Sequence, residues 1–335
     1  MTKASKADVM NYSNKNFQAF AKTFLSIRGK ENTISKLALN KEQKYIHEQL
    51  QQQKKNKGKV RALILKGRQI GATTYVSSRC YHYIILNRGA KGLVMCHHQQ
   101  ATNNIFDMIK RYYKNSPCHL LPKKTLMSNY KHINFQNINS SYAFATAGGL
   151  EVGRSDTIQF FHGSEVSFWK NSDNHLSSIL MSVPDNQNTE VILESTSNGA
   201  NGLFYNMCME ASREKSEYEL IFLPWYWHSE YVSANKIDFS YDWLEYQKLH
   251  KLSREQLTWA YLKNQNLCAN NLEDISKPSN RFHREFPATI HEAFMKDSNN
   301  KLIPFHKLLA KSLQKNFLQQ AEHEEIKEDF RLSQR

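Results

Sequence analysis

Short apolar runs alternating with helix-like stretches, sustained from about residue 60 to residue 227, constrain this chain more than any other feature. The apolar runs are VRALILK (60–66), GLVMCH (92–97), SYAFATA (141–147), TIQFFH (157–162), EVILEST (190–196) and YELIFLPW (218–225). Each has strand length, and VRALILK is apolar almost throughout, the pattern of a strand buried on both faces. Between them, ATTYVSSRCYHYIIL (72–86) and residues 99–114, 175–183 and 201–214 read as helices. Alternation of this kind predicts an α/β domain with a parallel sheet flanked by helices.

Upstream, LALNKEQKYIHEQLQQQ (37–53) reads as a further helix, with Leu39, Tyr45, Ile46 and Leu50 on roughly one face. Residues 1–36 are polar and basic with scattered Phe and no strong periodicity. After Trp227 the chain becomes aromatic and charged. One helix is expected over 242–264, an irregular stretch over 270–282, and an amphipathic helix near 303–320. The expected organisation is a basic segment (1–36), an α/β domain (37–227) and a smaller, mostly helical region (228–335).

The 335 residues are 40% hydrophobic, enough to bury a sizeable core. The formal charge of +14 is unevenly placed, with 16 Lys or Arg against 4 Asp or Glu in residues 1–68. Such a surplus favours a polyanionic partner, and no apolar run approaches the length of a membrane helix. The five cysteines (Cys80, Cys96, Cys118, Cys208, Cys268) are dispersed, with no CxxC pair, and the N-terminus is polar. A reducing cytosol is expected, without a disulfide framework. CHH at 96–98 ends a strand-like run and lacks the second ligand pair of a structural zinc site.

The segment LILKGRQIGATTY (63–75) runs from strand to turn to helix like a phosphate-binding loop, whose template is G-x-x-x-x-G-K-[ST]. Here Lys66 takes the first Gly position and Ala72 the Lys position, while Gly71 and Thr73 keep theirs. Lys66 can bring its ammonium across the same cavity from the other side, and Arg68 adds a second cation. Taken alone, the segment is equally a strand–turn–helix crossover that carries Gly and Thr-Thr. Downstream, TIQFFHGSEVSFW (157–169) is an apolar strand ending in Glu165, a candidate general base, with Ser164 where a Mg²⁺-ordering Asp stands in the usual motif. Ser164 could still hold a metal-bound water. VILESTSNGANG (191–202) ends in Ser195, Thr196 and Asn198, short polar groups at the carboxyl edge of a strand, suited to sensing a γ-phosphate or equally to a simple turn exit.

In this order, KGRQIGATT, HGSEVSFW, ESTSNG, FLPWYWHSEY and FHREFPATIHEAF resemble the large terminase subunit of tailed phages and prophages, a DNA-packaging ATPase, over roughly residues 37–300. The resemblance implies a P-loop NTPase of the ASCE type, with ATP and Mg²⁺ held by Lys66, Gly67, Arg68, Gln69, Gly71, Ala72, Thr73 and Thr74. It further implies Glu165 as catalytic carboxylate, Ser195, Thr196 and Asn198 as coupling motif, Thr73 and Ser164 toward the metal, and Gln43 as an adenine reader. Arg154 corresponds to an arginine that acts on a neighbouring subunit in a ring. Double-stranded DNA, a portal protein and a small terminase subunit are the implied partners, in the cytoplasm of a bacterial host and without a membrane.

The family's usual C-terminal nuclease needs several strand-borne carboxylates, which the roughly 40 residues after FPATIHEAFM do not offer, so nuclease activity is not expected of this chain. Lys and Arg interleaved with Tyr over 109–132 fit DNA phosphate contacts or an ordinary solvated face. Two other functions stay open: a helicase-like translocase, and a non-hydrolysing prophage remnant that binds DNA or terminase partners.

Overall fold

The computed structural model describes residues 16–29, 31–116, 124–126, 132–148, 157–269 and 274–295. Arg154, Cys118 and the expected helix near 303–320 lie outside these residues. Within them, the unbroken apolar runs form the central strands: β3 (Val60–Lys66), β4 (Lys91–Cys96), β7 (Ser140–Thr146), β8 (Phe160–Ser164), β9 (Glu190–Ser195) and β10 (Glu219–Leu223). With β5 (Lys124–Leu126) and β6 (His132–Phe135) they make an eight-stranded sheet in the order β10-β3-β9-β8-β4-β7-β6-β5. The six strands from β10 to β7 run parallel, and β6 and β5 close that edge antiparallel. The expected α/β fold with a parallel sheet between helices is therefore the observed one.

Every residue of β3 is buried, and the pleat sends alternate side chains to opposite faces. Val60, Ala62 and Ile64 join the core on one face; Leu63 and Leu65 join the core on the other. The first face is covered by helices α2 (Lys41–Lys57), α3 (Ala72–Leu86) and α4 (Gln99–Lys114), and the second by α5 (Ser172–Leu180) and α6 (Gly202–Ala211). The helix starts are legible in local chemistry. Asn40 caps α2 in a capping box with Gln43, and Gly71, at φ 88°, turns the chain from the loop after β3 into α3.

Charged groups inside the sheet are paired. Glu190, at the start of β9, is buried against Arg79 (2.6 Å from Nε) and Lys54 (2.8 Å). Burial would raise its pKa, but the two cations outweigh burial and hold the carboxyl below its ordinary range.

Two expectations need correction. The segment before residue 37 is periodic after all: α1 (Phe17–Phe24) buries Phe17, Phe20, Ala21 and Phe24, the i, i+3, i+4, i+7 stripe of an amphipathic helix. It is followed by a short hairpin of β1 (Ser26–Arg28) and β2 (Ile34–Lys36), and its apolar face belongs to the same core as β3. The single helix expected over 242–264 is two, α7 (Tyr241–His250) and α8 (Arg254–Cys268). The break falls at Lys251, which takes a left-handed conformation, after which Ser253 and Gln256 form a capping box that starts α8.

Two short helices, α9 (Asn280–Glu285) and α10 (Ile290–Ala293), end the described chain. Tyr112, read as interleaved with basic residues for DNA contact, is fully buried beside Tyr81 and serves the core. The four described cysteines are all buried.

Phe20 is 1% exposed and meets Phe24 and His82 at ring distances of 5.1 and 4.6 Å. Phe20→Ala is expected to lower unfolding free energy by about 3–5 kcal/mol in urea denaturation. A loss below about 1 kcal/mol would mean that α1 is not part of the domain core.

Candidate active site

The carboxyl ends of parallel strands point the same way, and a strand order that separates β3 from β8 by β9 brings three strand ends side by side. At that edge lies a cavity of about 450 Å³, lined by Lys66, Arg68, Gln69, Ile70, Gly71, Ala72, Thr73 and Thr74 from the loop, with His97, Glu165, Phe168 and Thr196 opposite. The first turn of α3 begins at the cavity with no side chain capping its amides. Such a turn favours an anion, because its free N–H groups carry partial positive charge.

Lys66 ends β3, 4% exposed, and its ammonium lies 2.9 Å from Glu165 Oε1 and 3.2 Å from Glu194 Oε2. Burial lowers its pKa, and the two carboxylates more than reverse that, so Lys66 is held above its ordinary value and stays protonated at neutral pH. An ammonium has three N–H groups, so two carboxylate neighbours leave it capacity for a phosphate oxygen. The cation that the template carries on the helix is thus supplied from the strand end.

Glu165 follows β8 in a left-handed conformation, φ 53°, an uncommon state for a non-glycine residue. Its Oε2 accepts from Thr196 N (3.2 Å), Ser195 Oγ (3.3 Å) and Thr196 Oγ1 (3.5 Å). Ser195 Oγ in turn accepts from Ser167 N at 3.2 Å, and Asn198 Nδ2 donates to Ser167 O at 3.2 Å. The three polar groups at the end of β9 therefore hold the candidate base and the turn that carries it. Backbone strain of this kind persists where surrounding contacts determine it, as here.

Sequence reading missed Glu194. It is fully buried in β9, where the β8–β9 register sets it beside Ser164. Thr73 Oγ1 donates to its Oε1 at 2.8 Å, and His162 Nε2 lies 3.4 Å from the same oxygen. The buried Oε2 faces the Lys66 ammonium but completes no hydrogen bond. Burial pushes the pKa of Glu194 up, and Lys66 and His162 overcome that, so the carboxyl is held well below its ordinary range. The only sequence signal was a Glu inside an otherwise apolar strand.

These residues fit a nucleotide-bound Mg²⁺. Thr73 stands at the metal-ligand position of the template with its hydroxyl fixed by Glu194, and two carboxylates outnumber one ammonium. Among the described residues no group of three or more His, Cys, Asp or Glu could hold a metal by itself, so phosphate and water would complete such a shell.

Of the other expected residues, Gln43 is buried, donating to Gly71 O at 2.9 Å and accepting from Asn40 N at 3.1 Å, and it does not line the cavity. Asn40 Nδ2 donates to Ile70 O at 3.1 Å, so α2 grips the loop by two carbonyls. Gly67 lies against Trp225 and Glu285, where a Cβ would stand 3.4 Å from Trp225. Ser164 is buried behind the cavity rather than lining it.

Arg68 joins the loop to the helical region. Its N–H donates to Glu285 O at 2.9 Å, its Nε lies 2.6 Å from Glu285 Oε2, and its carbonyl accepts from Tyr231 Oη. Glu285 is positioned by the segment around Glu292, which takes His250 Nε2 at 2.8 Å, His283 Nδ1 at 3.1 Å and Ala288 N at 2.7 Å.

No family model matches the chain, and no curated protein matches it. Among solved structures, it is similar to the large terminase of bacteriophage HK97, at TM-score 0.57 and 14% identity, over 79% of this chain and 55% of that one. The large terminase ATPase domain of Thermus phage P74-26 aligns at TM-score 0.49 and 13% identity, over 75% of this chain and 93% of that one. The large terminase of another thermophilic bacteriophage, in complex with ADP, aligns at TM-score 0.45 and 10% identity, over 75% of this chain and 53% of that one. The chain has the fold of the HK97 large terminase over most of its length, and spans about half the length of that protein.

Burial raises the pKa of Glu292, and His250 and His283 outweigh it, holding the carboxyl at about 2 against an ordinary 4.5. A depressed carboxyl pKa contributes stability that is complete above the unfolded value and is lost as pH falls through the folded one. Melting midpoints are expected to drop between about pH 4.5 and about pH 2, more steeply in the wild type than in Glu292→Gln. Parallel pH profiles for the two proteins would exclude this source of acid sensitivity.

Proposed function

We propose that this chain, built on a phage large-terminase fold, is an ATP-hydrolysing motor that moves double-stranded DNA during genome packaging. One observation carries the reading: Glu165 is bonded at once to the phosphate-loop cation Lys66 and to Ser195 and Thr196 at the end of β9. A structural ion pair would not need the polar end of a third strand aimed at the same carboxylate. A hydrolytic site does, because the base must be held in one place while the loop cation and the coupling strand sense the same phosphate.

In this reading the loop amides at the start of α3 and the Lys66 ammonium bind the β- and γ-phosphates. Arg68 and Gln69 border the same cavity. Glu165 accepts the proton of the attacking water, and its fixed hydrogen bonds to Ser195 and Thr196 orient it for that transfer. When bound with ATP, Mg²⁺ supplies charge neutralisation to the phosphates. Gln43, through its grip on Gly71, positions the loop. Ser195, Thr196 and Asn198 pass the state of the site to the β9 exit and α6. Arg154 acts in trans on a neighbouring subunit of a ring.

The basic surplus of the chain suits DNA phosphates, which a motor grips without reading bases. A portal protein and a small terminase subunit are the further partners, in the cytoplasm of the bacterial host. Residues 37–227, with α1 packed into the same core, form the ATPase unit in this reading, and 228–335 the linker region that receives its movement.

The test is ATP hydrolysis by the purified chain in Mg²⁺, with and without double-stranded DNA, beside Lys66→Ala and Glu165→Gln. Both substitutions are expected to lower turnover by about 10²-fold or more. Hydrolysis that survives both unchanged would falsify the assignment, and hydrolysis indifferent to DNA would remove the translocation part of it. Unwinding of forked DNA would favour a helicase instead.

A further inference from the structure

The acidic position at the end of β8 is held by Ser164, yet the site is not short of a carboxylate. The register that pairs Ser164 with Glu194 puts a carboxylate into the same layer of the sheet, one strand across. Neighbouring strands lie about 4.8 Å apart, and Glu has one methylene more than Asp with which to cover part of that step. The contact that matters is present: the Thr73 hydroxyl donates a hydrogen bond to Glu194 Oε1 at 2.8 Å, so its oxygen keeps its lone pairs for a cation.

Packing alone does not account for Glu194. A carboxylate at 0% exposure is costly to bury, and Glu194 shares its ammonium partner, at 3.2 Å, with Glu165. Lys66 already has Glu165 as a counter-ion at 2.9 Å. The second carboxylate leaves the trio with one net negative charge immediately behind the phosphate cavity, an arrangement that a divalent cation relieves and an ATP anion alone does not.

We infer that Glu194 is the carboxylate that orders nucleotide-bound Mg²⁺ in this chain, by fixing the Thr73 hydroxyl and supplying the negative charge that Ser164 lacks. The acidic function has crossed from β8 to β9. The inference rests on the phosphoryl-transfer reading above, and it makes Glu194 a positioning residue whose effect depends on the metal.

The experiment is isothermal titration of the full chain with ATPγS, in Mg²⁺ and in EDTA. The wild type is expected to bind at least about tenfold more tightly with Mg²⁺, a difference of about 1.4 kcal/mol. Glu194→Gln is expected to bind in EDTA at least as tightly as the wild type, because a negative charge beside Lys66 is gone, and to lose the roughly tenfold Mg²⁺ gain. The double variant Ser164→Asp with Glu194→Gln returns the carboxylate to β8 and is expected to regain it, a rescue that a mere counter-ion role would not produce.

A Glu194→Gln protein with the wild-type Mg²⁺ gain would overturn the inference and leave the nucleotide reading standing. Should Glu194→Gln fail to fold by circular dichroism, the double variant decides alone, and its binding ATPγS in EDTA without a Mg²⁺ gain overturns the inference too. A wild-type chain that binds no ATPγS in either condition overturns the nucleotide reading, and this inference with it.

Discussion

One ammonium between two carboxylates organises the carboxyl edge of the sheet. Lys66 is buried at the end of the central strand, and burial without a counter-charge would drive its proton off; Glu165 and Glu194 prevent that from two different strands. The arrangement in turn fixes where those strands must end. Glu165 can reach Lys66 only if β8 stops at Ser164 and the chain turns sharply into a left-handed residue. Glu194 can reach it only if β9 lies between β3 and β8, which is the observed order. Electrostatics and topology are therefore two descriptions of the same constraint.

A loop that holds phosphate must be stiff in the direction of its amides, and this one is tethered from both flanks. On the α2 side, Asn40 and Gln43 take the carbonyls of Ile70 and Gly71. The close approach also explains the glycine: a Cβ at 71 would lie 2.7 Å from Gln43 Nε2, and φ there is 88°. On the other side, Tyr231 and Glu285 hold both backbone polar groups of Arg68. Position 67 lies close to Trp225 and to the Glu285 carbonyl, so a side chain there would press on the contact between loop and helical region.

Much of this was legible in the sequence because it is local. VRALILK, apolar almost throughout and too short for a helix, marked a buried central strand, and Gly71 with Thr73 marked the turn into α3. That Lys66 ends this strand, beside the loop, was legible for the same reason. Glu194 was not, because its meaning depends on which strand lies beside which, a non-local property, and ESTSNG drew attention to its hydroxyls instead. The break at Lys251 and the stripe Phe17, Phe20, Phe24 were present in the sequence: the first as a Ser-x-x-Gln capping box, the second hidden among basic residues. The resemblance implied Gln43 as an adenine reader, and its burial against the loop depends on a tertiary contact that no local pattern shows.

The same contacts bear on how chemistry at the loop reaches the rest of the molecule. Arg68 has its side chain 58% exposed at the cavity, while its guanidinium is committed to Glu285 at 2.6 Å. The Glu285 carboxylate thus holds a cation that also borders the cavity. Glu285 ends α9, and the segment after it is pinned by Glu292 to His250 and His283, so it has little freedom to follow Arg68 on its own. Arg68 is thus tied to α9 through Glu285, and Glu292 ties α9 to α7 through His283 and His250. Thr196 provides the complementary path, because it touches both the cavity and Glu165. The loop thus has one connection to the sheet edge, through Glu165 and β9, and one to the helical region, through Arg68.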